Sequence, residues 1–93
     1  MAYKPPTREQ ARRHRDIRYM GCIICEGIPA IHHCETGAGG RKDHDKVLGL
    51  CYYHHQGVEG IHTIGREAWQ EKYGTEQELM ELTEKRLVQS KIR

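Results

Sequence analysis

The chain has 93 residues, 37% of them hydrophobic and 30% charged, and a formal net charge of +2 at pH 7. A single small domain over residues 1–93 is expected, and because so short a chain buries a limited fraction of its surface, a bound metal would help to stabilise it. No apolar run approaches the ~20 residues of a membrane span, and the N-terminus lacks the apolar region of a signal peptide. We therefore expect a cytoplasmic protein without a membrane partner.

Positive charge is concentrated in the first 20 residues, where six basic side chains stand against two acidic ones. Thr7 and Gln10 have the spacing of a capping box, which predicts a helix over residues 7–19 that ends at Gly21. Clustered positive charge on one helix is the usual footprint of phosphate contact. A solvated helix face explains the same charges equally well. The functional interpretation is contact with DNA phosphates through Arg12 and Arg13.

Two pairs of metal-binding residues share one spacing: Cys22 with Cys25, and Cys51 with His54. In a reducing compartment, four cysteines beside seven histidines indicate metal ligands rather than disulfides. Three sulfurs and one imidazole nitrogen are a common ligand set for a closed, structural Zn²⁺ site. Two alternatives stay open. Either Cys34 or His55 replaces one of these ligands, or the cysteines are reduced core residues without an ion.

A hairpin is expected between the two halves of this zinc site. Residues 28–34 are predicted to form one strand and residues 46–50 the returning strand, with a glycine-rich loop between them. Side chains alternate along a strand, so His32 and His33 should point to opposite faces unless the strand bends. The prediction is a small α+β fold whose zinc-containing core spans residues 21–62.

The rest of the chain is predicted to be helical. A short helix should follow Cys51, with Tyr52 and Tyr53 as packing residues, and residues 66–73 should form another helix with Trp69 in the core. Thr75 and Glu78 repeat the capping-box spacing, which predicts a final helix. The flanking helical segments are thus residues 1–20 and residues 63–93.

The histidines suit hydrolysis of a phosphodiester. That reaction needs a water molecule, a base to take its proton, and positive charge near the phosphoryl oxygens. A neutral histidine titrating near ~6.5 suits the base, and a divalent ion held by other imidazoles can act as a Lewis acid. Three further basic residues are predicted to contact the phosphate backbone: Arg41, Lys42 and Arg66.

The order of these residues is Cys-x-x-Cys, paired histidines, a glycine-rich loop, and Leu-Cys-x-x-His-His. It resembles the HNH endonucleases, whose core is the ββα-metal fold. The continuation over residues 56–66 and 68–74 is similar to the recombination-enhancement nucleases of phages and prophages, which depend on RecA. The resemblance implies metal-dependent cleavage of DNA in a bacterial host cell, acting in recombination with a RecA filament.

The resemblance also implies roles for individual residues. His33 matches the general base, and His32, His55 and His62 match or extend the ligands of the catalytic metal, for which Mg²⁺ or another divalent ion is expected. Asp45 stands where the family often has the asparagine that braces the loop, although an aspartate there accepts hydrogen bonds without donating them.

Two other functions are compatible with the same sequence. One is a non-catalytic, zinc-stabilised module that binds DNA, and the other is a zinc adaptor that binds protein. Neither requires His33, so a His33→Ala variant discriminates between them and the nuclease. Cys34 is expected to be a buried structural thiol and His14 an ordinary core or surface residue, whereas the role of His44 stays open.

Overall fold

The computed structural model describes residues 4–34 and 43–92. In this part of the chain two strands and five helices form a small α+β structure. Their order and bounds are α1 Arg8–Met20, β1 Pro29–His33, β2 Val47–Cys51, α2 Tyr52–His55, α3 Ile61–Ile64, α4 Arg66–Tyr73 and α5 Glu76–Ile92.

Helix α1 begins and ends at the predicted signals. The Thr7 hydroxyl accepts a hydrogen bond from the Gln10 backbone N–H, and the Gln10 side chain accepts one from the Thr7 backbone N–H, which completes the capping box. Gly21 ends the helix with φ of 98°. A Cβ at this position would lie 2.8 Å from the Glu26 carbonyl oxygen, so a side chain fits neither the backbone angle nor the space.

The two strands pair antiparallel, with Pro29 opposite Cys51 and His33 opposite Val47. Every residue of β2 is buried, which explains its continuous run of apolar and small residues. Helix α2 starts directly after Cys51. The sequence therefore runs strand, strand, helix without an intervening loop between β2 and α2, so that ligands from β1, β2 and α2 lie close to one another.

The helices cover this hairpin from several sides. Helix α1 packs against both strands and against α5, which also contacts β2. Trp69 of α4 is fully buried in the main apolar cluster together with Leu48, Leu50 and Leu79. None of the described helices is long and apolar enough to cross a membrane.

Some local predictions are confirmed and others are wrong. The α5 capping box forms, because the Glu78 carboxylate accepts from the Thr75 N–H and the Thr75 hydroxyl accepts from the Glu78 N–H. Tyr52 and Tyr53, expected to pack in the interior, are instead 73% and 50% exposed. The side of α2 that faces the interior carries His54 rather than these tyrosines.

Candidate metal centres

The first candidate site joins the loop after α1 to the end of β2 and to α2. In that loop, the backbone turns back on itself through hydrogen bonds from Cys22 N–H to Gly27 O (2.9 Å) and from Glu26 N–H to Cys22 O (2.7 Å). This turn brings the sulfurs of Cys22 and Cys25 to one side, facing Cys51 and His54. The four residues offer ligand atoms that all lie within 4.8 Å of one another. We call this group the staple.

The spacing of the staple atoms fits one tetrahedral ion. With Zn–S near 2.3 Å and Zn–N near 2.0–2.1 Å, two sulfurs on one zinc lie about 3.8 Å apart and a sulfur and a nitrogen about 3.6 Å apart. The sulfurs of Cys25 and Cys51 are 3.6 Å apart. His54 Nδ1 lies 3.2 Å from the Cys51 sulfur and 3.9 Å from the Cys22 sulfur. This group could hold a zinc ion.

The backbone of His54 is fixed from the other side by α4. The indole N–H of Trp69 donates a hydrogen bond of 3.0 Å to the His54 carbonyl oxygen. The imidazole also meets the Tyr73 ring edge-on, with 5.1 Å between ring centroids. The core anchor predicted from the sequence thus also orients the staple histidine.

A second group of three histidines lies apart from the staple. His32 comes from β1, His55 from α2 and His62 from α3, and their ligand atoms lie within 4.8 Å of one another. The Nε2 atoms of His55 and His62 are 3.1 Å apart, close to the ~3.3 Å between two nitrogens on one tetrahedral ion. We call His32, His55 and His62 the histidine site. It comprises the three residues predicted as ligands of the catalytic metal.

The histidine site reaches the surface, in contrast to the closed ligand set of the staple. His32 is buried, His55 is half-buried and His62 is exposed. Burial, together with the nearby His32 and His62, lowers the pKa of His55 to about 4. Burial likewise lowers the pKa of His62. A lowered pKa favours the neutral imidazole, which is the form that binds metal.

A buried carboxylate adjoins the histidine site. Glu76, in the first turn of α5, is 6% exposed, and its Oε2 lies 2.7 Å from Nε2 of His32. Its other oxygen, Oε1, lies 3.5 Å from Nε of Arg66. Cys34 is also close, since His32, Cys34 and Glu76 form a further group with ligand atoms within 4.8 Å. Burial and the Glu76 carboxylate raise the pKa of the Cys34 thiol to about 12.

The predicted base His33 has different neighbours from His32. Its Nε2 lies 3.0 Å from Nδ1 of His44, and its ring meets that of His14 edge-on. Nε2 of His44 lies 2.7 Å from the Lys4 carbonyl oxygen, which can only accept, so His44 donates there. Nδ1 of a neutral His44 then accepts from His33, and a neutral His33 carries its lone pair on Nδ1. Strand alternation thus separates the two neighbouring histidines, as expected.

The remaining two histidines, His14 and His44, lie on the same side of β1 as His33. His14 is buried on α1 and its Nε2 donates to the His44 carbonyl oxygen across 2.7 Å. His44, whose role the sequence left open, is buried and bonds both His33 and the chain before α1. Asp43 and Asp45, which flank His44, bond each other through the Asp45 N–H and an Asp43 carboxylate oxygen.

The predicted DNA-contacting residues have varied surroundings. Arg12 is exposed on α1, whereas Arg13 is half-buried and pairs with Glu84 of α5. Arg66 is partly exposed and pairs with Glu76. Arg41 and Lys42 lie outside the described residues.

Glu76 is the site residue that the sequence analysis missed. The capping box at Thr75 placed it at the start of a helix, but it lies 44 positions after His32. No motif spacing connects residues so far apart. Its position three and four residues before Leu79 and Met80, on the apolar face of the predicted helix, is the one signal that could have suggested it.

Comparison with known proteins adds no identification, because the sequence matches no protein-family model and no curated protein.

Proposed function

We propose that this protein is a metal-dependent DNA endonuclease with a ββα-metal core, in which the staple is a structural zinc site and the histidine site holds the catalytic ion. The observation that carries the proposal is the existence of a second metal-competent group, apart from the staple and open on the His62 side. Structural zinc sites are closed by four protein ligands, whereas catalytic sites keep a position for water or substrate. A protein that only binds DNA has no need of the second group.

The residues of the site divide the chemistry between them. His32, His55 and His62 would hold a divalent ion, which when bound supplies Lewis-acid stabilisation of the phosphoryl oxygens. His33 is the proposed base that takes the proton of the attacking water, and its contact with His44 through Nε2 holds the ring in place. The strand β1 ends at His33. Because His32 and His33 lie on opposite faces of β1, the scissile phosphate would lie at this end of the strand, between the ion and the base.

The nature of the ligands bears on which ion works best. Three imidazoles suit Zn²⁺, Ni²⁺ or Mn²⁺ to different degrees, whereas Mg²⁺ prefers oxygen ligands. Mg²⁺ in the cell would take most of its remaining ligands from water and phosphate. The proposal is therefore a divalent ion at this site, with Mg²⁺ and Mn²⁺ as the first ions to test.

A basic stripe on α1 supports DNA as the substrate. Arg8, Arg12 and Arg15 are exposed at positions i, i+4 and i+7, so they lie on one face of the helix. Tyr19, 95% exposed, continues this face. The opposite face carries His14, which contacts His33. Phosphates bound along the stripe would therefore lie on the outer side of α1, across the helix from His14 and the proposed base.

The narrower part of the proposal is a nuclease of phage or prophage origin that acts in recombination with RecA filaments. It rests on the resemblance of the sequence over residues 56–74. The described residues suggest no particular RecA contact, so dependence on RecA is tested by assaying cleavage with and without the filament.

The test is cleavage of supercoiled plasmid and of single-stranded DNA by the purified protein, with Mg²⁺ or Mn²⁺, with and without a RecA filament. His33→Ala and His55→Ala are expected to abolish cutting while zinc content and melting temperature stay close to those of the wild type. His54→Ala is the contrasting variant. His54 is next to His55 in the sequence but belongs to the staple, so its loss should abolish zinc binding and destabilise the fold. Cutting without RecA would retain the nuclease and remove the narrower assignment.

The alternative is a non-catalytic zinc-stabilised DNA-binding module, and the stripe on α1 is the observation that favours it. That function needs the staple and the stripe but neither His33 nor the histidine site. If the zinc-loaded, folded protein binds DNA but cuts none of these substrates with any divalent ion, the nuclease proposal fails and the binding module replaces it.

A further inference from the structure

We propose that Glu76 is a positioning residue of the histidine site: from the C-terminal helix, it holds the His32 imidazole by its Nε2–H so that Nδ1 is the nitrogen presented to the metal. This inference rests on the proposed function, since it concerns the same site. Metal binding would then also depend on α5, a helix for which the sequence predicted no chemical role.

The distance between the two groups identifies a hydrogen bond. His32 Nε2 and Glu76 Oε2 are 2.7 Å apart, in the range of a strong N–H···O bond to a carboxylate. We therefore assign Glu76 as the hydrogen-bond partner of the His32 ligand rather than as a ligand in its own right.

The surroundings of Glu76 place positive charge and hydrogen-bond donors around its carboxylate, a group that accepts hydrogen bonds. The residue is in the first turn of the 17-residue helix α5, where the helix dipole stabilises a negative charge. Nε of Arg66 lies 3.5 Å from Oε1, whereas His32 contacts Oε2. Because a carboxylate accepts and does not donate, the His32 proton must be on Nε2. The nitrogen with the lone pair is then Nδ1.

The orientation of His32 matters because it is the buried member of the histidine site. Its ring lies 5.1 Å from that of His55 and 5.2 Å from that of His62, measured between centroids. A histidine that binds metal usually donates its second N–H to such a partner, which fixes the tautomer and makes the ligand more basic. Loss of such a partner typically weakens metal binding by about 10–100-fold.

The experiment uses the full chain with the staple first filled by one equivalent of Zn²⁺. Binding of a further ion is then measured by calorimetry with Ni²⁺, which imidazole suits, for the wild type, Glu76→Gln and Glu81→Gln. Glu81 is an exposed glutamate of the same helix, bonded to Gln77, and serves as the matched control. We expect about 10–100-fold weaker Ni²⁺ binding for Glu76→Gln and unchanged binding for Glu81→Gln.

A second measurement needs no variant. Two-bond ¹H–¹⁵N spectra of the wild-type imidazoles report which nitrogen carries the proton, and we expect His32 as the Nε2–H tautomer, with its Nδ1 signal shifted when a diamagnetic ion is added. The Nε2–H tautomer is the direct consequence of the hydrogen bond to Glu76, so this measurement tests the bond itself rather than the stability of the fold. The opposite tautomer, or a shift at Nε2, would overturn the inference.

The outcomes separate this inference from the proposed function. If the wild type binds a further ion and Glu76→Gln binds it equally well, the role of Glu76 is wrong while the nuclease stands. If the zinc-loaded wild type binds no further ion, the histidine site itself is wrong, and both fail. DNA cleavage is not needed for either measurement.

Discussion

Cys34 illustrates how burial decides the chemistry of a single residue. It directly follows the proposed base, a position where a thiol could be taken for a nucleophile. It is 5% exposed, and burial and the nearby Glu76 raise the pKa of its thiol to about 12. The reactive form of cysteine is the thiolate, which is scarce at neutral pH when the pKa is that high. A structural thiol, as the sequence analysis expected, is the consistent interpretation.

We predict that Cys34 in the folded, zinc-loaded protein reacts with iodoacetamide at pH 8 at least about tenfold more slowly than the same residue in denatured protein. Peptide mass spectrometry after timed quenching measures the labelling. Cys25, which is exposed but belongs to the staple, is the internal control, because removal of zinc should make it react quickly in native buffer. Rapid native labelling of Cys34 would contradict its burial.

At the scale of elements, the helices with side-chain caps were the easiest to predict. Thr7 and Thr75 define the starts of α1 and α5 because each capping box leaves a local signature. Helix α3 was not predicted, since it has four residues and begins at Gly60 without a side-chain cap. The exposure of Tyr52 also escaped prediction, because which side of a one-turn helix is buried depends on distant partners such as Trp69.

Some residues of the candidate sites could be predicted from the sequence and others could not, because only some of them belong to a local sequence pattern. The staple could be predicted because each half has its own local spacing, and the histidine ligands because the resemblance supplied them. Glu76 and the bonds among His14, His33 and His44 arise only when α1, α5 and the hairpin pack together. Such contacts have no periodic signature in the sequence.

Helix α4 should stabilise the staple through Trp69. We predict that Trp69→Phe costs about 1–3 kcal/mol, because the His54 carbonyl oxygen loses its buried donor. For a domain of this size the melting temperature falls by about 4–8 °C per kcal/mol. Tyr73→Phe is the control, since it removes a half-buried bond from the Tyr73 hydroxyl to Glu59 and should cost less than about 1 kcal/mol. Equal losses for the two variants would argue against a special role for the indole.

Helix α1 should contact DNA through its exposed stripe rather than through every arginine. We predict that Arg12→Gln lowers the slope of log affinity against log salt by about 0.9, the value for one lost phosphate contact on duplex DNA. Arg13→Gln is the matched control, because the neighbouring arginine is already paired with Glu84. Fluorescence anisotropy with a labelled duplex at several salt concentrations measures both slopes. Identical effects at the two positions would mean that the stripe is not the contact surface.

At the scale of the whole molecule, the staple ties together parts of the chain that share one small core. Cys22 and Cys51 are buried members of the main apolar cluster, next to Leu48, Leu50 and Trp69. An ion held there would connect the loop after α1, the end of β2 and α2. Small domains have total stabilities of about 5–15 kcal/mol, and structural zinc contributes on the same order. Loss of the ion should therefore affect the fold as a whole.

We predict that a staple ligand matters more to stability than a buried cysteine outside the staple. Cys25→Ala removes an exposed side chain, yet it should abolish stoichiometric zinc binding and cooperative unfolding, because a metal site that loses one of four ligands no longer holds the chain together. Cys34→Ala removes a buried thiol and should cost only about 1–2 kcal/mol, with zinc retained. Thermal unfolding by circular dichroism, zinc content by mass spectrometry, and the same melts after chelation measure the difference. Burial alone predicts the reverse order, so a Cys34→Ala protein less stable than Cys25→Ala, or a melt that chelation leaves unchanged, would show that the staple does not hold the fold.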